Sequence, residues 1–297
     1  MPAILLTTTV LFLVALGFAN PARAQFEELL HKVPRFANAI VVIDAEAVSK
    51  TPLAIKEKWA DKHEQAFVSR PLMLPPEASR IVLASHLSAQ NELQADWELA
   101  VMDLDEPMSM KSIARAEGGY VDTVNSLESV WTPSNSYFIR LDNDTMGIIY
   151  PANRQYVSRW AEFAKQNTGT VVSEYLQKAA YAVGPTGQIV LALDLKDMIQ
   201  PHRLSEALEQ SPTLEKAKAD LNAIAPVLVS LQGVMLSVNV DDKAHGVLRV
   251  DFAQNAAPLK SVAKPLFLEA LNKWGAAIED FNSWDVTVGD TYIKLEG

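Results

Sequence analysis

Cysteine is absent from the 297 residues, which excludes disulfides, thiolate metal sites, cysteine nucleophiles and a lipidated N-terminal cysteine. Stability therefore has to come from packed apolar cores, which a chain of this length can supply. Long apolar runs are scarce too: after the first residues, none approaches the roughly 18 that a membrane-spanning helix needs. Basic clusters are missing. Lys and Arg number 26 against 36 Asp and Glu, for a net charge of −10, and such a surface disfavours counterion-release binding to nucleic acid and attraction to acidic headgroups. No G-x-S-x-G, P-loop or G-x-G-x-x-G occurs, which removes the common signatures of serine hydrolases and of nucleotide and dinucleotide binding. His31, His63, His86, His202 and His245 are scattered. His63-Glu64 opens like a zincin helix but has Phe67 where the second histidine belongs. Asp142-Asn143-Asp144 echoes a calcium loop, then offers Met146 and Asn153 at ligand positions, so it reads as a hairpin turn. The sequence implies no metal and no cofactor.

What is present begins with an uncharged run from Ile4 to Phe18, followed by Asn20-Pro21-Ala22-Arg23-Ala24. The run is short for a span, and the small residues Ala22 and Ala24 fit the positions before a cleavage site, so residues 1–24 read as a signal peptide. The expected product is an exported protein, periplasmic or secreted, with no membrane span after cleavage.

The mature part contains a repeat. Ala39-Ile40-Val41-Val42-Ile43-Asp44 resembles Ile189-Val190-Leu191-Ala192-Leu193-Asp194 at an offset of 150 residues. Met110-Lys111-Ser112-Ile113-Ala114 matches Leu259-Lys260-Ser261-Val262-Ala263 at an offset of 149. Ser136-Tyr137-Phe138-Ile139-Arg140-Leu141 pairs with Thr291-Tyr292-Ile293-Lys294-Leu295 at an offset near 155. The elements between these landmarks follow one order in both halves. In the first, a strand over 39–44, continuous enough to be buried on both faces, precedes a helix from Pro52. Strands over 80–87 and 96–104 follow, then a helix over 109–117 stopped by Gly118-Gly119. Strands over 120–131, 136–141 and 146–150 and a helix over 154–166 complete it. In the second, a strand over 188–194 precedes helical segments over 203–232 interrupted at Pro212 and Pro226. A hairpin over 234–252, a helix over 258–274 and two terminal strands close the chain. The order strand, helix, strand, strand, helix, strand predicts an α+β fold of two tandem ferredoxin-like βαββαβ units, each with an added hairpin, in mostly antiparallel sheets. The expected divisions are a first repeat at 25–167, a connector helix at 168–187 and a second repeat at 188–297.

Glu174-Tyr175-Leu176-Gln177-Lys178-Ala179-Ala180 and the segment Ile189 to Asp194 resemble parts of uncharacterised exported planctomycete-type proteins. That resemblance spans about 20 residues and implies neither an activity nor a catalytic residue.

Two features are candidate sites. Asp44 and Asp194 end the first strand of each repeat, where α/β proteins often place functional side chains, although an Asp between strand and helix also serves as a turn acceptor. Leu72, Met73 and Leu74 lie among prolines in the loop from Val68 to Pro76. Exposed, they would make a partner patch; buried, they would clamp the preceding helix over the sheet. The leading expectation is a non-catalytic exported protein that binds an envelope or extracellular protein, or another envelope component, through its sheets or this loop. The alternative is a hydrolase of an envelope or extracellular polymer that uses dispersed carboxylates.

Overall fold

The computed structural model describes residues 21–69, 74–91, 93–184, 187–273, 275 and 279–297. Residues 1–20 of the expected signal peptide lie outside the described residues, as do Leu72 and Met73. The first half contains α1 (Pro21–Leu30), β1 (Ala39–Asp44), α2 (Ala45–Ser49), α3 (Pro52–Lys56), α4 (Trp59–Ser69), β2 (Ala78–Leu87), β3 (Ala95–Leu104) and α5 (Met110–Glu117). It continues with β4 (Tyr120–Val124), β5 (Leu127–Thr132), β6 (Ser136–Arg140), β7 (Thr145–Tyr150) and α6 (Arg154–Gln166). The connector is α7 (Glu174–Ala180). The second half holds β8 (Ile189–Asp194), α8 (Pro201–Glu209), α9 (Pro212–Ala217), α10 (Leu221–Val229), β9 (Leu231–Val240), β10 (Ala244–Phe252), α11 (Ala263–Lys273), β11 (Asp285–Val288) and β12 (Tyr292–Glu296).

All twelve strands form one sheet in the order β11-β12-β10-β9-β8-β1-β2-β3-β7-β6-β5-β4. The fold is therefore mixed α/β around a single large antiparallel sheet, and the two halves meet edge to edge where β1 pairs with β8. Outward from that junction both halves run alike, as β1-β2-β3-β7-β6 and as β8-β9-β10-β12-β11. This order corrects the expectation of ferredoxin-like units. A split βαβ unit inserts a strand between the two that its first helix connects, whereas here β1 pairs directly with β2 and β8 with β9. The order also reassigns one repeat match: the strand beside β3 that corresponds to β12 is β7, not the β6 segment over 136–140.

The β1–β8 register is centred on Val41 opposite Leu191, with Ile40 opposite Ala192 and Val42 opposite Val190. Adding 150 to each β1 position reproduces the same pairs, as a local two-fold axis through Val41 and Leu191 requires. The second repeat match agrees in burial, since Met110, Ile113 and Ala114 are buried and so are Leu259, Val262 and Ala263, but the first segment is α-helical while the second is a 3-10 turn that leads into α11.

Local chemistry explains most element ends. Ser109 caps α5, accepting from Ser112 N–H, and the helix closes at Gly118 with φ 67°. Asn153 caps α6 through two backbone amides. Three breaks depart from expectation. The run over 120–131 is a hairpin, turned by Asn125 and Ser126 at φ 48° and 64°, the positive angles a type I′ turn needs. The helix expected from Pro52 divides at Lys58, with φ 53°. Pro226 lies inside α10, and the chain breaks before it at Lys218, with φ 51°.

Candidate functional site

The two faces of the central strands differ sharply. On one face Ile40, Val42, Val190 and Ala192 are 0–1% exposed, sealed beneath Phe26 and Leu29 of α1, Trp160 of α6 and Leu176 of α7. On the other face Val41, Ile43, Ile189, Leu191 and Leu193 are all only half-buried. The register continues this aliphatic face across four strands, with Ile81 and Ala39 buried and the remaining residues half-buried. One row runs Ile81, Ile43, Ile189, Val238; the next runs Leu83, Val41, Leu191, Leu236; a third includes Ala39, Leu193 and Val234. Every residue named in these rows is aliphatic.

Helices cover the flanks of this face and leave its centre thinly covered. On the first-half side Ile113 and Ala114 of α5 pack with Ile81, Met102 and Phe138. On the second-half side Leu208, Leu214, Ile224 and Val262 pack with Leu248, Ile293 and Leu295. Helix α4 contains no buried residue, although Trp59, Ala66 and Phe67 are half-buried. The result corrects the expectation that the β1 run is buried on both faces: the strand has one sealed side and one half-buried side. Four strands spaced by about 4.8 Å make a strip about 14 Å wide, close to the roughly 10–12 Å diameter of one helix with its side chains.

The predicted carboxylates are kept apart. Asp44 lies opposite the position before Ile189, and Asp194 opposite the position before Ala39, as the backbone bonds Asp44 N to Gln188 O and Asp194 N to Asn38 O show. Six residues of β1 separate these points, about 20 Å at a rise of about 3.3 Å per residue. Each serves a local turn. Asp44 Oδ1 accepts from Ala47 N–H at 2.8 Å and caps α2, while Asp194 Oδ1 accepts from Lys196 N–H at 3.2 Å. The glycosidase spacing of the hydrolase reading, at most about 9.5 Å between carboxyls, is not met by this pair. Leu74 packs against the α5 core, and its carbonyl oxygen is 2.9 Å from His63 Nε2 of α4.

Each half also carries a polar row on its sealed face, unnoticed in the sequence because its members are far apart in the chain. In the first, Asp44, Arg80, Asp103 and Thr145 stand abreast. Arg80 meets Asp103 at 3.1 Å, Thr145 Oγ1 donates to it at 3.3 Å, and burial pushes the Asp103 carboxyl above its usual range. In the second, Asp194, Gly233, Asp251 and Tyr292 stand at the corresponding places. Gly233 lacks the arginine's counterpart, and Tyr175 of α7 fills the space: a Cβ at Gly233 would lie 2.5 Å from the Tyr175 ring and from the Leu193 carbonyl oxygen. The Tyr175 hydroxyl donates to Asp251 Oδ2 at 3.1 Å, and Arg249 Nε donates to Asp251 Oδ1 at 2.7 Å. Burial, followed by the Asp251 charge, raises the Tyr175 pKa far above that of a free phenol. Among the described residues no group of three or more His, Cys, Asp or Glu is placed to hold a metal ion.

No family model and no curated protein matches this chain. Solved structures of TP0453 share its fold. Crystal form I of TP0453 aligns with a TM-score of 0.52 at 12% identity, covering 90% of each chain. Crystal form III aligns with a TM-score of 0.52 at 11% identity, covering 90% of this chain and 91% of that one. At such identities the likeness concerns the fold alone. Among the described residues no helix is long and apolar enough to cross a membrane.

Proposed function

We propose that this chain is an exported, non-catalytic binding protein of the cell envelope or extracellular space, and that it holds an apolar helix of a partner protein on the aliphatic strip over β1 and β8. The observation that carries this reading is the contrast between Val190 and Ala192, fully buried, and Leu191 between them, half-buried in a row of aliphatic residues. An unsealed strip at the centre of a large sheet leaves apolar area in water, at about 25 cal/mol per Å², and a helix laid along it recovers that area. The strip lies where two similar halves join, as ligand sites often do. The matching strand orders and the register at Val41 and Leu191 support descent of both halves from one βαββαββ unit, which places the strip on the axis relating them.

Titration with 1-anilinonaphthalene-8-sulfonate, followed by displacement with an idealised Leu/Lys amphipathic helix peptide, tests the reading. The folded protein should bind the dye and release it to the peptide. Replacing Leu191 and Leu236 by Gln should weaken both by at least about tenfold, because two apolar contacts are lost, while the circular dichroism spectrum stays native. A folded double variant that binds dye and peptide as tightly as the parent would overturn the assignment.

A further inference from the structure

The end of the sheet farthest from β11 carries a second surface, independent of the aliphatic strip. Tyr120 of β4, Trp131 of β5 and Tyr137 of β6 stand abreast on one face. Tyr120 stacks on Trp131 with ring centres 5.3 Å apart at 27°. It is 55% exposed, and because β4 is the outermost strand no further strand among the described residues stands beside it. Asp122, two residues on, accepts from the Tyr137 hydroxyl at 3.1 Å and from Arg154 Nε at 3.1 Å. The guanidinium beside it holds the Asp122 carboxyl below the usual range, while burial, then that carboxylate, pushes Tyr137 up to about 12.

The same pair occupies the backbone of the strand's outer edge at Thr123. Asp122 Oδ1 accepts from Thr123 N–H at 2.7 Å, and Arg154 Nη2 donates to Thr123 O at 2.8 Å. Occupied amide and carbonyl groups at mid-strand oppose the addition of another strand, so the ring face, not the backbone edge, is what this end offers. Beside it, two shallow hollows lie along α6, the larger reaching Leu127 and the buried Ala161. One of about 290 Å³ is lined by Arg154, Gln155, Ser158 and Arg159; the other, about 430 Å³, includes Asn125, Glu162, Lys165 and Gln166 in its lining. Asn125 and Ser158 bond reciprocally between them, at 2.6 and 2.9 Å. Arg159 and Lys165 are exposed and have no hydrogen-bonding or ionic partner among the described residues. In a chain of net charge −10, α6 carries Arg154, Arg159 and Lys165 against Glu162 alone.

The geometry points to an oligosaccharide site on the β4–α6 surface that selects acidic sugars: the outward ring of Tyr120 stacks on a pyranose face, Asp122, Arg154 and the α6 amides bond hydroxyls, and Arg159 and Lys165 meet sugar carboxylates. An exposed ring backed by a second ring and bordered by hydrogen-bonding groups gives the apolar platform and polar rim that a sugar requires. The hydroxyl-rich class is favoured over a polyphosphate because sugar hydroxyls can donate to the remaining lone pairs of Asp122 and Glu162, whereas a polyphosphate offers no donor. From Arg154 to Lys165 the helix rises about 16 Å, so the ligand is an oligomer.

Calorimetric titration of the full chain with α-1,4-linked trigalacturonate, with cellotriose and oligothymidylate as controls, decides the matter. Trigalacturonate should bind at least about tenfold more tightly than cellotriose and than oligothymidylate. Tyr120→Ala should weaken it against all sugars, and Arg159→Glu should weaken trigalacturonate while leaving cellotriose unchanged. Both positions are exposed, and an unchanged melting temperature confirms the fold. No trigalacturonate binding by the parent protein, equal binding by folded Tyr120→Ala, or preferential oligothymidylate binding would each overturn the site. None of these results bears on dye binding at the aliphatic strip.

Discussion

The two halves share a strand order and differ in how they satisfy the corresponding polar row. In the first half Arg80 reaches Asp103 from the neighbouring strand, so the row is complete within the sheet. In the second, Gly233 stands at the arginine's place and the connector helix supplies Tyr175 to reach Asp251. One backbone plan thus leaves room for two ways of stabilising a half-buried carboxylate. The difference also shows why α7 docks where it does: a glycine on β9 admits an aromatic ring that a side chain there would exclude.

The comparison breaks most severely at Gly233. Gly233→Val places carbon where the Leu193 carbonyl and the Tyr175 ring already are, and overpacking of this kind should cost about 3 kcal/mol in urea unfolding. A loss under about 1 kcal/mol would mean that α7 is not seated there. Next comes Arg80→Met, which leaves the Asp103 carboxylate without its cation. It should cost about 1–2 kcal/mol given the pair's partial exposure, and Asp103→Asn should cost less, because removing the charge is milder than orphaning it. Equal losses would show that Arg80 contributes packing alone.

Acid titration separates two carboxylates within the first half, because Asp103 and Asp122 shift in opposite directions. Asp122, with a lowered folded-state pKa, contributes stability that is present above the unfolded value of about 3.9 and lost as pH falls through the folded value. Asp103, with a raised one, contributes stability that is present below about 3.9 and lost as pH rises through the folded value. Asp122→Asn should therefore flatten the acid loss of stability and Asp103→Asn should steepen it, as read from urea midpoints between about pH 3 and 6. Identical profiles would contradict the assigned partners. The smallest effect belongs to Asp44→Asn, which preserves the α2 cap and should change stability by less than about 0.5 kcal/mol, while Asp44→Ala costs about 1.

Local signals carried much of this architecture. The β-branched run over 39–44 and the capped, periodic helix over 154–166 have their expected limits, because composition and capping there oppose nothing in the tertiary structure. The β4–β5 hairpin was illegible: Asn125-Ser126 takes positive φ without the glycine that usually announces it. The mutual arrangement of strands was illegible for a different reason. Element order admits several sheets, and only the β1–β8 pairing shows which edges join. Of the candidate sites, Asp44 and Asp194 were legible both as residues and as turn acceptors, since each follows a strand and precedes a turn or helix; their separation across the β1–β8 pairing was not. The open side of β1 and β8 left no mark on the sequence, since alternation disappears when both faces are aliphatic, whatever covers them.

A cysteine-free chain permits a direct test of that open side through single thiols at adjacent positions. Leu191→Cys and Ala192→Cys should retain the fold and differ in reactivity toward a maleimide: the thiol at 191 should react at least about a hundredfold faster under native conditions, since buried positions exchange only through opening, and the amphipathic peptide should slow it. Equal protection at both positions, with or without peptide, would show that both faces of β8 are sealed and would contradict the account.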